Sequence, residues 1–203
     1  MNILINTTKS LIYVIFFILF FCPAIAKTSD WSVSETSKLR LISPYSQNNT
    51  KNIIVGLEYK MEPGWKTYWK SPGDGGFPQT VSWDNSINVK HVNILWPTPS
   101  KFEILGFSSL GYENNVIFPL EITIEDELKK IFLNLKVNFL ICKDVCIPGD
   151  ASVFLEIPVG EKIVNSKYHD LERALSLLPQ NNLDISHLKN INANVYKNKE
   201  LST

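Results

Sequence analysis

Lys130-Ile131-Phe132-Leu133-Asn134-Leu135-Lys136-Val137-Asn138-Phe139-Leu140-Ile141-Cys142-Lys143-Asp144-Val145-Cys146-Ile147-Pro148 is the stretch on which the reading of this chain turns. Its first ten residues alternate cleanly. Ile131, Leu133, Leu135, Val137 and Phe139 share one face. Lys130, Asn134, Lys136 and Asn138 share the other, with Phe132 among them. A period of two with one apolar face predicts a half-buried β-strand. The strand runs into two of the three cysteines of the chain, Cys142 and Cys146.

Working outward, the same kind of signal recurs. Residues 37–43, 52–61, 65–70, 79–83, 89–96, 116–124 and 151–158 read as strands, punctuated by Pro, Gly, Asn and Ser. Pro119 has no N–H to give to a ladder, which predicts an edge or a bulge for 116–124. About eight or nine short strands between 37 and 159, with no strong helix among them, predict an all-β sandwich. Residues 165–178 break the pattern: Tyr168, Leu171, Ala174, Leu175 and Leu178 fall at helical spacing, stopped before Pro179. Residues 180–203 are polar and Asn-rich, a tail, a linker or the start of something further. Residues 27–36 read as a polar lead-in with a lone Trp31. Residues 71–78, Ser-Pro-Gly-Asp-Gly-Gly-Phe-Pro, form a loop, and without the Lys-Ser/Thr of a P-loop or a following helix they are structural rather than a phosphate cradle. Residues 101–112 carry too many aromatics for a purely solvated loop.

The 203 residues, 44% hydrophobic and 20% charged, allow one ordinary domain with a proper core. The formal net charge is zero, and there is no Lys/Arg run to neutralise phosphates, so composition gives no reason to expect nucleic acid. His91 stands alone on a polar strand face, with no neighbouring His to share a metal. At the N-terminus, Lys9 precedes an apolar run from Leu11 to Phe21, then Pro23 and the small-x-small pattern Ala24-Ile25-Ala26. This predicts an export signal cleaved after Ala26. A retained anchor is the competing reading, but the run is short for a span of about 20 residues. Lipidation at Cys22 is disfavoured by Phe20 and Phe21 before it and Pro23 after it. Removal of residues 1–26 would leave Cys142 and Cys146 as the only cysteines, in an oxidising compartment.

Three chemistries are open to that pair. A structural disulfide would close a very short loop and so remove little entropy from the unfolded chain. Two thiolates could hold a soft ion such as Cu(I), although the motif has no His or Met to complete a set. In thiol–disulfide exchange, one thiolate attacks a partner's disulfide and the second cysteine resolves the mixed disulfide. Lys143 would favour a thiolate nearby and Asp144 would oppose it.

The run Gly64-Trp65-Lys66-Thr67-Tyr68-Trp69-Lys70-Ser71-Pro72-Gly73-Asp74-Gly75-Gly76, the segment Ile94-Leu95-Trp96-Pro97-Thr98-Pro99, Leu110-Gly111-Tyr112 and Cys142-Lys143-Asp144-Val145-Cys146-Ile147-Pro148 resemble, in order, the periplasmic N-terminal domain of DsbD-type thiol:disulfide interchange proteins, including the suppressor-of-copper-sensitivity branch. The resemblance covers roughly residues 35–158. It implies an immunoglobulin-like β-sandwich, which the short C-terminal helix and polar tail read above would follow. It implies an electron relay between a transmembrane thiol carrier and periplasmic thioredoxin-fold proteins, with no metal or organic cofactor and no membrane contact except through a partner. Cys146 would form the mixed disulfide and Cys142 would resolve it. A cap loop, best matched by the aromatic stretch Lys101 to Tyr112, would shield the pair, with Phe107 or Phe102 as the shield, Tyr68 beside the pair and Tyr112 at the end of the cap stretch. The domain organisation expected is a signal over 1–26, the sandwich over 27–160, and helix plus tail over 161–203. The reading from a different class is a non-catalytic envelope binding module with a structural disulfide, connected with copper tolerance.

Overall fold

The structure, a computed structural model, describes residues 27–179. The expected export signal with Cys22, and the polar tail over 180–203, lie outside the described residues. Twelve strands and one helix follow in order: β1 (Lys27–Thr28), β2 (Ser32–Val33), β3 (Ser37–Ser43), β4 (Asn52–Met61), β5 (Lys66–Gly73), β6 (Thr80–Ser82), β7 (Val89–Ile94), β8 (Ser100–Ile104), β9 (Phe107–Glu113), β10 (Asn115–Ile124), β11 (Ile131–Cys142), β12 (Cys146–Ile157) and α1 (Tyr168–Ser176).

The strands form two antiparallel sheets. The first has the order β1-β3-β4-β10-β7, with β2 also on β3; the second has the order β12-β11-β5-β9-β8, with β6 also on β11. The architecture is an immunoglobulin-like β-sandwich. Its core is made where the inner faces meet. Leu41, Val55, Leu57, Tyr59, Phe118 and Leu120 come from the first sheet, and Leu133, Leu135, Val137, Phe139, Val153 and Leu155 from the second. Tyr59 lies edge-on to both Phe118 and Phe139, a bridge between sheets that aromatic quadrupoles favour. All five residues assigned to the inner face of the 130–139 stretch are buried.

Three expectations are corrected. Pro119 lies in an interior strand, because β10 pairs with β4 on one side and β7 on the other. The N and C=O of one residue in an antiparallel strand face the same neighbour. The Pro119 carbonyl accepts from Leu95 N–H at 2.8 Å, just past the end of β7, so the missing N–H falls where that ladder stops. The lead-in is also structured. β1 and β2 both pair with β3, and the Trp31 ring is capped by Arg40 at 4.2 Å. Finally, the aromatic stretch after Pro99 is a hairpin, β8 with β9, and not a loop.

The helix is shorter than its pattern. α1 buries Leu171 and Ala174, and the Leu177 carbonyl beyond its end accepts from both the N–H and Oγ1 of Thr98, at 2.8 and 2.9 Å. That satisfies an orphan carbonyl of the C-terminus. Among the described residues, no helix is long and apolar enough to cross a membrane.

Candidate functional site

β11 and β12 pair without a break from Ile131 opposite Ile157 to Cys142 opposite Cys146. The two cysteines are therefore the last rung of a hairpin, and they are joined as a disulfide across a Cα separation of 4.1 Å. So short a spacing belongs to the non-hydrogen-bonded rungs of an antiparallel ladder, near 4.5 Å, and not to the hydrogen-bonded ones near 5.5 Å. Lys143-Asp144-Val145 closes the turn, with Lys143 N–H donating to the Val145 carbonyl at 3.0 Å. The backbone of Cys142 then faces β5, where it pairs with Lys66. Next to that rung, Thr67 Oγ1 donates to the Leu140 carbonyl at 3.1 Å, a buried bond that ties the two strands together below the pair.

Alternation decides which face the sulfurs occupy. Phe139 and Ile141 point into the main core, so Leu140 and Cys142 point out of the second sheet. There they do not meet water. Leu140, Cys142, Tyr68 from β5 and Ile104 from β8 make a separate buried cluster, with Phe102 packed against it. Tyr68 Oη donates to Cys142 Sγ at 3.0 Å and lies 3.9 Å from Cys146 Sγ. Burial raises the pKa of Tyr68 above its ordinary value, so the hydroxyl keeps its proton at neutral pH. The ring is held by Phe102, with centroids 6.0 Å apart, and by the backbone of Gly76, which has φ +85° and where a Cβ would overlap it. Only glycine fits both conditions.

The two sulfurs are unequal. Cys142 is 0% exposed, whereas Cys146 is exposed to solvent. Cys146 is the cysteine that an incoming thiolate meets first from solvent, and displacement at its Sγ sends the bonding electrons to Cys142 Sγ, beside the Tyr68 hydroxyl.

Of the four aromatics named for shielding, the structure brings Tyr68 and Phe102 to the pair. Phe107 sits at the β8–β9 tip, 52% exposed, against Gly75. Tyr112 points the other way. Gly111 is opposite Tyr68, so the next residue along β9 faces the opposite side of the sheet. Its hydroxyl donates to the Pro97 carbonyl at 2.7 Å, and its ring lies edge-on to Phe118 in the main core. Lys143 is anchored beside the turn by Nζ donation to the Pro63 carbonyl at 3.4 Å. Leu140, Ile104 and Gly76 escaped the sequence reading. Leu140 had a signal: on a face carrying Asn134, Lys136 and Asn138, it is the apolar residue just before Cys142.

Among the described residues, no group of three or more His, Cys, Asp or Glu side chains gathers as a metal set would. A β-sandwich with a cysteine pair at a hairpin tip, one cysteine exposed and the other buried beneath a tyrosine hydroxyl, has the make-up of a thiol–disulfide exchange domain. The family model for the N-terminal domain of the thiol:disulfide interchange protein DsbD matches residues 38–158, and the chain belongs to that family. Among solved structures, the N-terminal periplasmic domain of ScsB from Proteus mirabilis is similar with a TM-score of 0.62 and 26% identity, over 76% of this chain and 60% of that one. The chain thus spans about 60% of the length of that domain. The reduced N-terminal domain of Neisseria meningitidis DsbD gives a TM-score of 0.31 and 10% identity, over 70% of this chain and 91% of that one. No curated protein matches the chain.

Proposed function

We propose that the chain acts in the periplasm as a relay of reducing equivalents, between a transmembrane thiol carrier and thioredoxin-fold proteins, through Cys142 and Cys146. The observation that carries this reading is the inequality of the two sulfurs. A purely structural bond has no need of an exposed half. A three-residue turn also makes the closed loop so short that little stabilisation follows from it. The periplasmic setting of the similar ScsB domain and the export pattern over residues 1–26 support the compartment. Residues 27–160 would be the working domain and 161–203 its helix and tail.

The chemistry balances as follows. A thiolate of the reduced carrier attacks Cys146 Sγ, the Cys142–Cys146 bond breaks, and Cys142 leaves as thiolate with the electron pair, beside the Tyr68 hydroxyl. The carrier's second thiolate displaces Cys146 and leaves the carrier oxidised. Cys146 then attacks the disulfide of a thioredoxin-fold partner, whose other sulfur departs as thiolate. Attack by Cys142 on Cys146 Sγ re-forms the pair and releases the reduced partner. Two electrons move at each stage, and the scheme calls on no metal or organic cofactor. Tyr68 is a positioning residue that donates to Cys142 whenever that sulfur is released. Phe102 shields it.

The test is the reduction potential of the pair, measured by equilibration in glutathione or dithiothreitol buffers with thiol trapping. A value between about −270 and −180 mV, the range of thioredoxin and the disulfide isomerases, is expected. A value below about −300 mV would mean a structural bond and would turn the reading to a non-catalytic envelope binding module.

A further inference from the structure

Lys66 has a chemically active neighbour on each side across the second sheet. β5 places it opposite Cys142 of β11 and opposite Glu113 of β9. Residues opposed in an antiparallel ladder carry their Cβ atoms on the same face, about 4.5–5.5 Å apart. Lys66 therefore stands on the outer face of the sheet, beside the Cys142 side chain and two residues before Tyr68 on the same side. Its side chain is only 19% exposed. Nζ donates to the Gly64 carbonyl at 3.0 Å, lies 3.6 Å from Glu113 Oε1, and lies 5.9 Å from the centre of the Phe102 ring packed on the cluster.

Exchange creates an anion at a buried sulfur. The disulfide is neutral. When a thiolate attacks Cys146 Sγ, a new S–S bond forms there, the Cys142–Cys146 bond breaks, and Cys142 Sγ departs with the electron pair as thiolate. No proton moves in that step. Cys142 is 0% exposed, and burial without a counter-charge disfavours a thiolate. Tyr68 gives the sulfur a hydrogen bond but no charge. Lys143 is exposed, holds the Pro63 carbonyl at 3.4 Å and is followed by Asp144 on the turn. From β8 the cluster receives Phe102 and Ile104, while Lys101 and Glu103 alternate to the opposite side. Glu62 and Asp74 on the loops flanking β5, Asp144 on the turn and Asp150 on β12 are exposed carboxylates, of the wrong sign. Building on the exchange reading, we infer that Lys66 is the counter-charge of the Cys142 thiolate, acting on the sulfur through its field while keeping its own proton. Glu113 opposes it, holding the ammonium from the side away from Cys142. A leaving thiolate of lower pKa departs faster, so the charge acts on the opening of the pair.

The test uses the full chain with Cys22→Ser and Cys146→Ser, which leaves Cys142 as the sole thiol, isotopically labelled at Cβ and titrated by NMR. The Cβ shift against pH reads ionisation directly and needs no reagent to enter the cluster. Lys66→Met keeps the aliphatic stem and removes the charge. It should raise the midpoint by about one pH unit, the lower end for an opposite charge nearby. Lys66→Arg should return the midpoint towards its starting value. Glu113→Gln should move it in the opposite direction, which a purely structural role for Lys66 would not produce. With both cysteines of the pair present, Lys66→Met should slow opening of the disulfide by glutathione several-fold, and Lys66→Arg should restore the rate. An unmoved midpoint or an unmoved opening rate overturns the inference and leaves exchange intact. An equal shift with Lys143→Met gives the role to the turn and overturns it too. Failure of glutathione to open the unaltered pair removes the exchange reading and this inference together.

Discussion

At the residue scale the site is a hydroxyl and a sulfur 3.0 Å apart in a dry cluster. A phenol donates more strongly to a thiolate than to a disulfide sulfur, so Tyr68 favours the reduced pair. Tyr68→Phe keeps the ring and removes the donor. A bond to a charged sulfur is stronger than one to a neutral sulfur by about 1–2 kcal/mol, and 30 mV corresponds to about 1.4 kcal/mol for two electrons. The potential should therefore become more negative by roughly 20–40 mV. An unchanged or less negative value removes the hydroxyl from the chemistry. Phe102→Ala should raise the alkylation rate of reduced Cys142 several-fold, read cysteine by cysteine by mass spectrometry. Phe107→Ala should leave it near that of the unaltered chain, because Phe107 rests on Gly75 and not on the cluster. If Phe107→Ala opens Cys142 as much as Phe102→Ala does, the shield extends to the hairpin tip. The sequence named all four aromatics but could not rank them. Which face Tyr112 takes depends on the pairing of Gly111 with Tyr68, a long-range register that a single strand does not carry.

Among the elements, the β8–β9 hairpin shows what local signals miss. Its turn residues, Leu105 and Gly106, both have positive φ, 51° and 81°. That is the pattern of a primed two-residue turn, which normally announces itself as Asn-Gly or Asp-Gly. With Leu in the first place the announcement is absent, and the stretch reads as an aromatic loop. The left-handed conformation costs a residue such as Leu about 1–2 kcal/mol. Leu105→Asn should recover about 1 kcal/mol, a rise in Tm of about 2–4 °C for a domain of this size. No rise in a thermal melt would mean that the turn is not strained. Gly76→Ala should act in the opposite sense, because its φ is positive and its Cβ would enter the Tyr68 ring. Elsewhere the elements were legible where period and punctuation agreed: β3 and β4 span the expected residues. Pro119 misled because its tolerance depends on where β7 ends, a fact about a neighbour and not about β10.

For the molecule as a whole, the two-sheet sandwich was legible because alternating strands at short intervals have few other ways to bury one face. Joining the two faces brings a further property. Tyr59, Tyr112 and Tyr68 are buried, and burial pushes the pKa of each above the ordinary tyrosine value, well above it for Tyr59. In the unfolded chain these hydroxyls ionise near pH 10. Folded, they hold their protons to higher pH, so above about pH 10 the native state binds more protons than the unfolded state. A raised native pKa contributes stability that is fully present below the unfolded pKa and is lost as pH climbs towards the native one. Stability against urea should therefore show no tyrosine-linked loss up to about pH 9 and fall steeply above about pH 10. Phenolate absorbance from the buried tyrosines should appear together with unfolding and not before it. Tyr59→Phe removes the hydroxyl that meets Gln79 between the sheets and should make the alkaline decline shallower. If phenolate absorbance instead develops fully while the fold persists, Tyr59 and Tyr112 are not sealed between the sheets nor Tyr68 in the cluster behind the second one, and the packing that holds β11 under the cysteine pair is looser than described.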